Sequence, residues 1–286
     1  MPFKGYAVSV RGASHEDAGE PCQDSARVYT GEGLAIAAVS DGHGSAKHFR
    51  SAAGSEMATR VAIRSLCDFC EKNGGLDGLF DPSGAGVRLC GTTAESADAG
   101  SPENAARRIA ANIICGWNSE IAAHMAFAPL NDTEQKISQG FGGIPAEVIY
   151  GATLIAAAVT ERGVFGLQIG DGCFNSSEGG VMGCPMPDDA KLMGNLTTSL
   201  CDSDAIGSFR WFYRSGAPEG VMLSSDGLIG SFRNESDFLS FGGRVLGAIS
   251  NGTAASLAEH LRRRSRSGSR DDISIAALVA YDNRKE

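Results

Sequence analysis

The chain has 286 residues, 42% of them hydrophobic and 21% charged, with a formal net charge of −9. This globular composition excludes disorder, collagen and coiled coil as descriptions of the whole chain. The negative charge disfavours non-specific binding of nucleic acid, which needs basic surface to neutralise phosphates. The longest apolar stretches, 34–39 and 154–159, fall far short of the roughly 20 residues of a membrane helix, and residues 1–10 lack a signal-peptide core. Since eight cysteines are also too few for a disulfide scaffold, we expect a cytoplasmic protein that binds neither nucleic acid nor membrane.

Alternating and continuous apolar runs predict strands in two blocks of the chain. The predicted strands are 6–10, 26–29, 34–40, 152–159, 164–169, 209–213, 220–224 and 273–279. The connection at 160–163 suits a hairpin between two of these strands. The regular alternation of strand and helix that indicates a parallel sheet is missing, so the sheets are expected to be antiparallel.

Helical periodicity predicts three helices, over about 47–69, 103–127 and 253–266. Two long segments show little periodicity. Residues 73–103 are rich in Gly, Ser, Ala and Asp and are interpreted as an excursion within one domain or as a flexible linker, and residues 183–208 are predicted to be mostly loop. The pattern predicts an α+β fold in which two sheets form an antiparallel β-sandwich flanked by helices.

The chemistry-bearing residues follow one recurring pattern, an apolar strand that ends in Asp-Gly. It occurs at Asp41, Asp171 and Asp226, while Asp24 and Asp271 stand beside two further predicted strands. Asp-Gly is also ordinary turn chemistry. Strand ends that share one sheet edge, however, would gather like charges that need a cation, and oxygen ligands suit Mg²⁺ or Mn²⁺. The pattern therefore favours metal-assisted hydrolysis of a phosphate ester.

Six short motifs in a fixed order carry a family resemblance. They are 14–24 (SHEDAGEPCQD), 40–44 (SDGHG), 150–153 (YGAT), 169–172 (IGDG), 225–228 (SDGL) and 271–274 (DDIS). This order resembles the metal-dependent protein phosphatases (PPM, the type 2C Ser/Thr phosphatases), and most closely their bacterial-type branch. The resemblance extends over residues 12–279. It implies an αββα fold in a single domain of residues 1–286, with 73–103 as an excursion and about 183–208 as a flap-like loop.

The resemblance also implies a site for two Mn²⁺ or Mg²⁺ ions and a possible third. The implied ligands are a bridging Asp41, the backbone carbonyl of Gly42, Asp24 directly or through water, Asp226, Asp271 and, for the third ion, Asp171. A hydroxide that bridges the ions would attack phosphoserine or phosphothreonine directly. His43 would protonate the leaving oxygen; the alternative is a structural histidine in the turn.

The sequence departs from the family pattern in the phosphate-binding segment. The arginine that family members commonly carry just before the first acidic pair is missing, which leaves Arg11 and His15 as candidates for binding the substrate phosphate. Gln23 stands where many members carry Glu, and Gly172 replaces the usual Ser. None of these changes removes a core ligand.

We therefore expect a protein Ser/Thr phosphatase that acts on a phosphorylated protein and opposes a Ser/Thr kinase. A phosphatase-like binding module and a small-molecule phosphohydrolase of the same fold are the alternatives. Among the remaining histidines, His48 is expected at the surface or as a helix cap, and His124 and His260 as ordinary helix residues.

Overall fold

The computed structural model describes residues 2–93, 98, 100–189, 191 and 197–281. Its strands are β1 (Phe3–Val10), β2 (Ser25–Thr30), β3 (Leu34–Ser40), β4 (Arg88–Thr92), β5 (Leu154–Thr160), β6 (Gly163–Ile169), β7 (Cys173–Glu178), β8 (Val181–Gly183), β9 (Arg210–Ser215), β10 (Gly220–Ser224) and β11 (Ile273–Ala280). One sheet has the order β1-β11-β10-β7-β8, the other β2-β3-β5-β6-β9-β4, and neighbours in each are antiparallel. The predicted antiparallel sandwich is confirmed.

The helices cover the outer faces of the two sheets. They are α1 (Ala13–Ala18), α2 (Ser51–Lys72), α3 (Asp77–Phe80), α4 (Pro102–Phe127), α5 (Asp132–Gly140), α6 (Ala146–Ile149), α7 (Ala205–Ser208), α8 (Asp226–Ile229), α9 (Glu235–Ser250) and α10 (Leu257–Ser267). The long helices α2 and α4 pack on the six-stranded sheet, and α9 and α10 pack on the five-stranded sheet. The four layers are therefore helix, sheet, sheet and helix. None of the helices among the described residues combines the length and apolar composition needed to cross a membrane.

Strand β3 shows why the central strands read as continuous apolar runs. Ile36 and Ala38 face the helices, whereas Ala35, Ala37 and Val39 face the second sheet. Both faces of the strand are buried, so no polar residue interrupts the pattern. The core between the sheets is made largely of such small and branched side chains.

Helix α9 and strand β7 are regular elements that the sequence patterns do not predict. Gly242, Gly243 and Gly247 lower the helical propensity of α9, yet its apolar side chains fill the outer core of the five-stranded sheet. A Cβ at Gly242 would lie 2.9 Å from the terminal methyl group of Met182, so this side chain packs directly against the glycine. Strand β7 has the polar sequence CFNSSE, and its pairing with β10 overrides that composition.

The two segments without periodicity differ in their structure. Residues 73–103 contain α3 and β4, and Leu76 and Phe80 are buried in the core beneath the six-stranded sheet. The described residues of the flap-like loop contain little regular structure apart from α7. Residues 94–97 and 99 of the first segment, and 190 and 192–196 of the second, lie outside the described residues.

Candidate metal centre

One edge of the sandwich carries a cavity of about 200 Å³ whose lining includes five carboxylates. The ends of β3, β6 and β10 and the beginning of β11 meet there. Its acidic lining residues are Asp41, Asp171, Asp226, Asp271 and Asp272, and its other lining residues are His15, Gln23, Gly42, His43, Gly44, Thr153 and Thr197. No lysine or arginine stands among these described lining residues. The negative charge of this pocket is therefore not balanced by a lysine or arginine side chain in its lining.

Asp41 is fixed by a pair of reciprocal hydrogen bonds with Thr153. The backbone N–H of Thr153 donates to the carbonyl of Asp41 at 2.8 Å, and the backbone N–H of Asp41 donates to Thr153 Oγ1 at 3.1 Å. Ser40 Oγ also donates to the carbonyl of Thr153 at 2.5 Å. The turn after β3 is therefore locked to the segment that precedes β5.

Gly42 occupies a position that admits no side chain. A Cβ there would lie 2.7 Å from the carbonyl oxygen of Gln23 and 2.8 Å from that of Ser51. Its own N–H donates to the Gln23 carbonyl at 3.1 Å. The Asp41-Gly42 turn is thus pressed between the N-terminal segment and the start of α2, and glycine is required there by close backbone approach.

Asp24 lies behind the cavity wall and is not one of the residues that line it. Its side chain is buried, and its Oδ2 accepts a hydrogen bond of 2.7 Å from Ser225 Oγ. The same serine hydroxyl accepts from the backbone N–H of Ser274 at 2.9 Å. These hydrogen bonds hold Asp24 at the junction of β10 and β11, outside the cavity lining.

Asp272 ties the N-terminal segment to the site. It is 3% exposed, and its two carboxylate oxygens accept from the backbone N–H groups of Gly12 and Gln23, each at 2.6 Å. The neighbouring Asp271 keeps one oxygen on the backbone N–H of Asp272 at 2.8 Å. Both carboxylate oxygens of Asp272 are thus hydrogen-bonded to distant backbone groups, whereas the carboxylate of Asp271 is hydrogen-bonded only to its neighbour.

The clustered carboxylates hold protons more tightly than free ones. Burial raises the pKa of Asp24 to about 7, and repulsion from Asp272 adds to it. Burial, followed by the charges of Asp24 and Asp226, raises the pKa of Asp41 well above its usual range. Burial also raises the pKa of Asp226 and of Asp271. Carboxylates that are costly to ionise together are what a divalent cation neutralises.

The unpartnered atoms of the site fit a hard cation. Three buried oxygens around it have no hydrogen-bond partner, namely Gln23 Oε1, Asp24 Oδ1 and Asp226 Oδ1. The available donors are carboxylate, amide and carbonyl oxygens, which suit Mg²⁺ and Mn²⁺. Among the described residues, no group of three or more His, Cys, Asp or Glu side chains is drawn close enough together to hold a metal ion. The carboxylates surround a cavity, whose volume leaves room for ions and water between them.

His43 lies in the cavity wall with its imidazole in a defined orientation. Its Nε2 is 2.7 Å from Ser199 Oγ, and its ring centroid is 4.8 Å from that of His48. Burial, together with the positive charges of His48 and Lys47, lowers the pKa of His43 to about 4. His43 is therefore a neutral imidazole near pH 7 in the protein alone.

His48 is buried, in contrast to the expectation of a surface or capping residue. It is 6% exposed, and its Nδ1 donates to the carbonyl of Val148. A Cβ at Gly151 would lie 2.5 Å from His48 Nδ1 and 2.9 Å from His43 Cδ2. The absence of a side chain at Gly151 thus provides the space in which the two imidazole rings pack. No local sequence pattern predicts this contact.

The two candidates for phosphate binding occupy different places. His15 lines the cavity, with its Nδ1 3.0 Å from Asp272 Oδ1. Arg11 does not line it, and its Nη2 donates to the backbone carbonyl of His15 at 2.7 Å. The structure thus brings His15, but not the Arg11 guanidinium, to the acidic cavity.

Comparison with known proteins places this chain in a family. The family model described as protein phosphatase 2C matches residues 11–262. No curated protein sequence matches the chain significantly. The chain belongs to the protein phosphatase 2C family, and its class is that of the phosphoprotein phosphatases.

Solved structures of bacterial phosphatases share the fold. The catalytic domain of the serine/threonine phosphatase PstP, in complex with two manganese ions, is 17% identical with a TM-score of 0.56, covering 98% of this chain and 99% of that chain. PstP/Ppp of Mycobacterium tuberculosis is 15% identical with a TM-score of 0.56, covering 99% and 100%. Stp1 of Staphylococcus aureus is 15% identical with a TM-score of 0.57, covering 99% and 96%.

Proposed function

We propose that this protein is a Mn²⁺- or Mg²⁺-dependent Ser/Thr phosphatase that hydrolyses phosphoserine and phosphothreonine in a phosphorylated protein, and so opposes a Ser/Thr kinase. The observation that carries the proposal is the acidic cavity itself. Five carboxylates line it, and no lysine or arginine stands among its described lining residues. Three buried side-chain oxygens around it have no hydrogen-bond partner. Such a set costs free energy unless cations occupy it.

The chain's own oxygens would divide the work of holding two ions. Asp41 lines the cavity close enough to Asp226 and Asp271 for their charges to act on it, and it would bridge the ions. The carbonyl of Gly42 would be a further ligand, and Asp226 and Asp271 would hold one of the ions. Asp24, behind the wall, would act through water or through Asp41, and Asp171 would serve a third, looser ion. Bound divalent ions lower the pKa of water and stabilise the charge that develops on phosphoryl oxygens.

His43 would move the proton that the leaving serine or threonine oxygen needs. Its Nε2 faces Ser199, while its Nδ1 has no partner among the described residues and is not one of the buried unpartnered atoms. Nδ1 is therefore the nitrogen open to solvent and to a substrate. It carries a proton only when the ring is cationic, and a phosphate dianion close by would raise the lowered pKa of His43 and favour that form.

His15 would be the lining residue that meets the substrate phosphate. It is the one residue among the two candidates that reaches the cavity, and it donates without the bidentate geometry of an arginine. Arg11 would act indirectly, since it holds the backbone of His15. The metal ions would then supply most of the charge that binds phosphate.

The proposal is tested by hydrolysis of p-nitrophenyl phosphate, a phosphothreonine peptide and a phosphorylated metabolite, with and without Mn²⁺. We expect Mn²⁺-dependent turnover of the first two that is lost in Asp226→Asn. Glu32→Gln is the matched control, because Glu32 is exposed in the turn between β2 and β3. If the folded wild type hydrolyses neither p-nitrophenyl phosphate nor the peptide, the proposal is contradicted. If it prefers the phosphorylated metabolite, the substrate is a small molecule and not a phosphoprotein.

A further inference from the structure

The imidazole of His43 is held by a residue from a distant loop. Ser199 lies 156 positions further along the chain, and its Oγ is 2.7 Å from His43 Nε2. Ser199 is 3% exposed, so water does not compete for this contact. Within the described residues, it is the only hydrogen bond that the His43 side chain makes.

The surrounding hydrogen bonds set the direction of this contact. Ser199 Oγ donates its single proton to the carbonyl of Ala152 at 3.1 Å. The hydroxyl also accepts from the backbone N–H of Cys201 at 3.3 Å and lies 3.2 Å from the Cys201 thiol. With its proton directed to the Ala152 carbonyl, which can only accept, the hydroxyl accepts from His43, and this places a proton on Nε2 in the neutral ring. Nδ1 is left without a proton and faces solvent, as an acceptor in the neutral ring and as a donor only in the cation.

The backbone around Ser199 is itself anchored. The N–H of Ser199 donates to Asp202 Oδ2 at 2.8 Å, and that of Leu200 donates to the carbonyl of Ala152 at 2.9 Å. One residue earlier, Thr198 Oγ1 accepts from the backbone N–H of Gly170 at 3.0 Å, next to Asp171. Residues 198 and 199 of the flap-like loop thus contact the site at two places, at Gly170 next to Asp171 and at His43.

From this geometry we infer that Ser199 is a positioning residue, which orients the His43 ring, fixes its neutral tautomer with the proton on Nε2, and thereby reserves Nδ1 for the substrate. The catalytic consequence rests on the proposed function, but the tautomer does not. Without the Ser199 hydroxyl, the ring is free to turn and Nε2–H loses its acceptor. Proton delivery to a poor leaving group then becomes inefficient.

The tautomer is measured first, by two-bond ¹H–¹⁵N correlation spectra of the histidine rings in protein that is metal-free or loaded with Mg²⁺. The chain has five histidines, so His43→Gln identifies the signal. We expect the Nε2–H form in the wild type and a mixture of tautomers in Ser199→Ala. An unchanged tautomer in Ser199→Ala would overturn the inference, whatever the activity.

Leaving-group dependence is the second readout. In Ser199→Ala we expect kcat for a phosphothreonine peptide to fall about 10- to 100-fold, and kcat for p-nitrophenyl phosphate to change less than about threefold, because p-nitrophenolate leaves without a proton. Ser199→Thr keeps the hydroxyl and should restore peptide turnover. Ser203→Ala, an exposed serine of the same loop, should behave as wild type.

Equal losses on both substrates would show that Ser199 is merely structural and would overturn its positioning role. Turnover of neither substrate by the wild type would instead remove the proposed function. In that case the tautomer measurement still decides whether Ser199 sets the state of His43.

Discussion

Asp41 and Thr153 are joined by two reciprocal hydrogen bonds: the Thr153 N–H donates to the Asp41 carbonyl at 2.8 Å, and the Asp41 N–H donates to Thr153 Oγ1 at 3.1 Å. Thr153→Val preserves shape and removes the acceptor. Since a buried N–H left unsatisfied costs about 1–3 kcal/mol, we expect that loss in the free energy of unfolding. Displacement of Asp41 should also lower kcat about 10- to 100-fold.

Urea unfolding and steady-state hydrolysis measure these two effects. Thr153→Ser keeps the hydroxyl and is the matched control, which should retain most of the activity. If Thr153→Val has wild-type stability and turnover, the clasp does not position Asp41.

Three of the acidic residues that line the cavity were predictable because each is marked locally, whereas Asp272 was not predicted as a site residue. Asp41, Asp171 and Asp226 each follow an apolar strand in an Asp-Gly pair. Strands β3 and β6 both pair with β5, which brings Asp41 and Asp171 to one edge of that sheet, and Asp226 joins them from β10 of the other sheet. Ser199 carried no such mark, since it lies in a loop and meets His43 only through tertiary folding. The burial of His48 was missed for the same reason, because it depends on the space left by Gly151.

The pH dependence of stability should reverse when metal is added. The pKa of Asp24 rises from 3.8 to about 7 on folding, so its contribution to stability is full below 3.8 and lost as pH rises through about 7. The raised pKa values of Asp41, Asp226 and Asp271 act in the same direction. Deprotonation also frees the ligands, so Mn²⁺ should stabilise the protein more at about pH 8 than at about pH 5.

Melting temperatures with EDTA and with Mn²⁺ across this pH range provide the measurement. Asp24→Asn should make the metal-free profile less steep, because it removes one of the four carboxyl groups whose folded-state pKa is raised. A Mn²⁺ effect of equal size at both pH values would show that these carboxylates do not bind the ion.

Gly42 and Gly247 should respond in opposite ways to alanine. A Cβ at Gly42 would meet two backbone oxygens at 2.7 and 2.8 Å, so Gly42→Ala should destabilise by about 1–3 kcal/mol and displace Asp41. Gly247 lies in α9, and a Cβ there would meet no atom within 4 Å. Gly247→Ala should stabilise by about 0.5–1 kcal/mol without changing turnover. Urea unfolding distinguishes the two, and a neutral Gly42→Ala would mean that the turn can relax.

Replacement of Asp41 by asparagine separates the chemistry of the site from its folding. Asn keeps the shape and removes a charge that burial and its acidic neighbours disfavour, so metal-free Asp41→Asn should melt at or above the wild-type temperature. Turnover should be abolished, and calorimetric titration should show weakened Mn²⁺ binding, because the bridging ligand is lost. Glu32→Gln removes one exposed charge and should leave all three quantities unchanged. Full activity of a folded Asp41→Asn protein would exclude Asp41 as a ligand of the reacting centre.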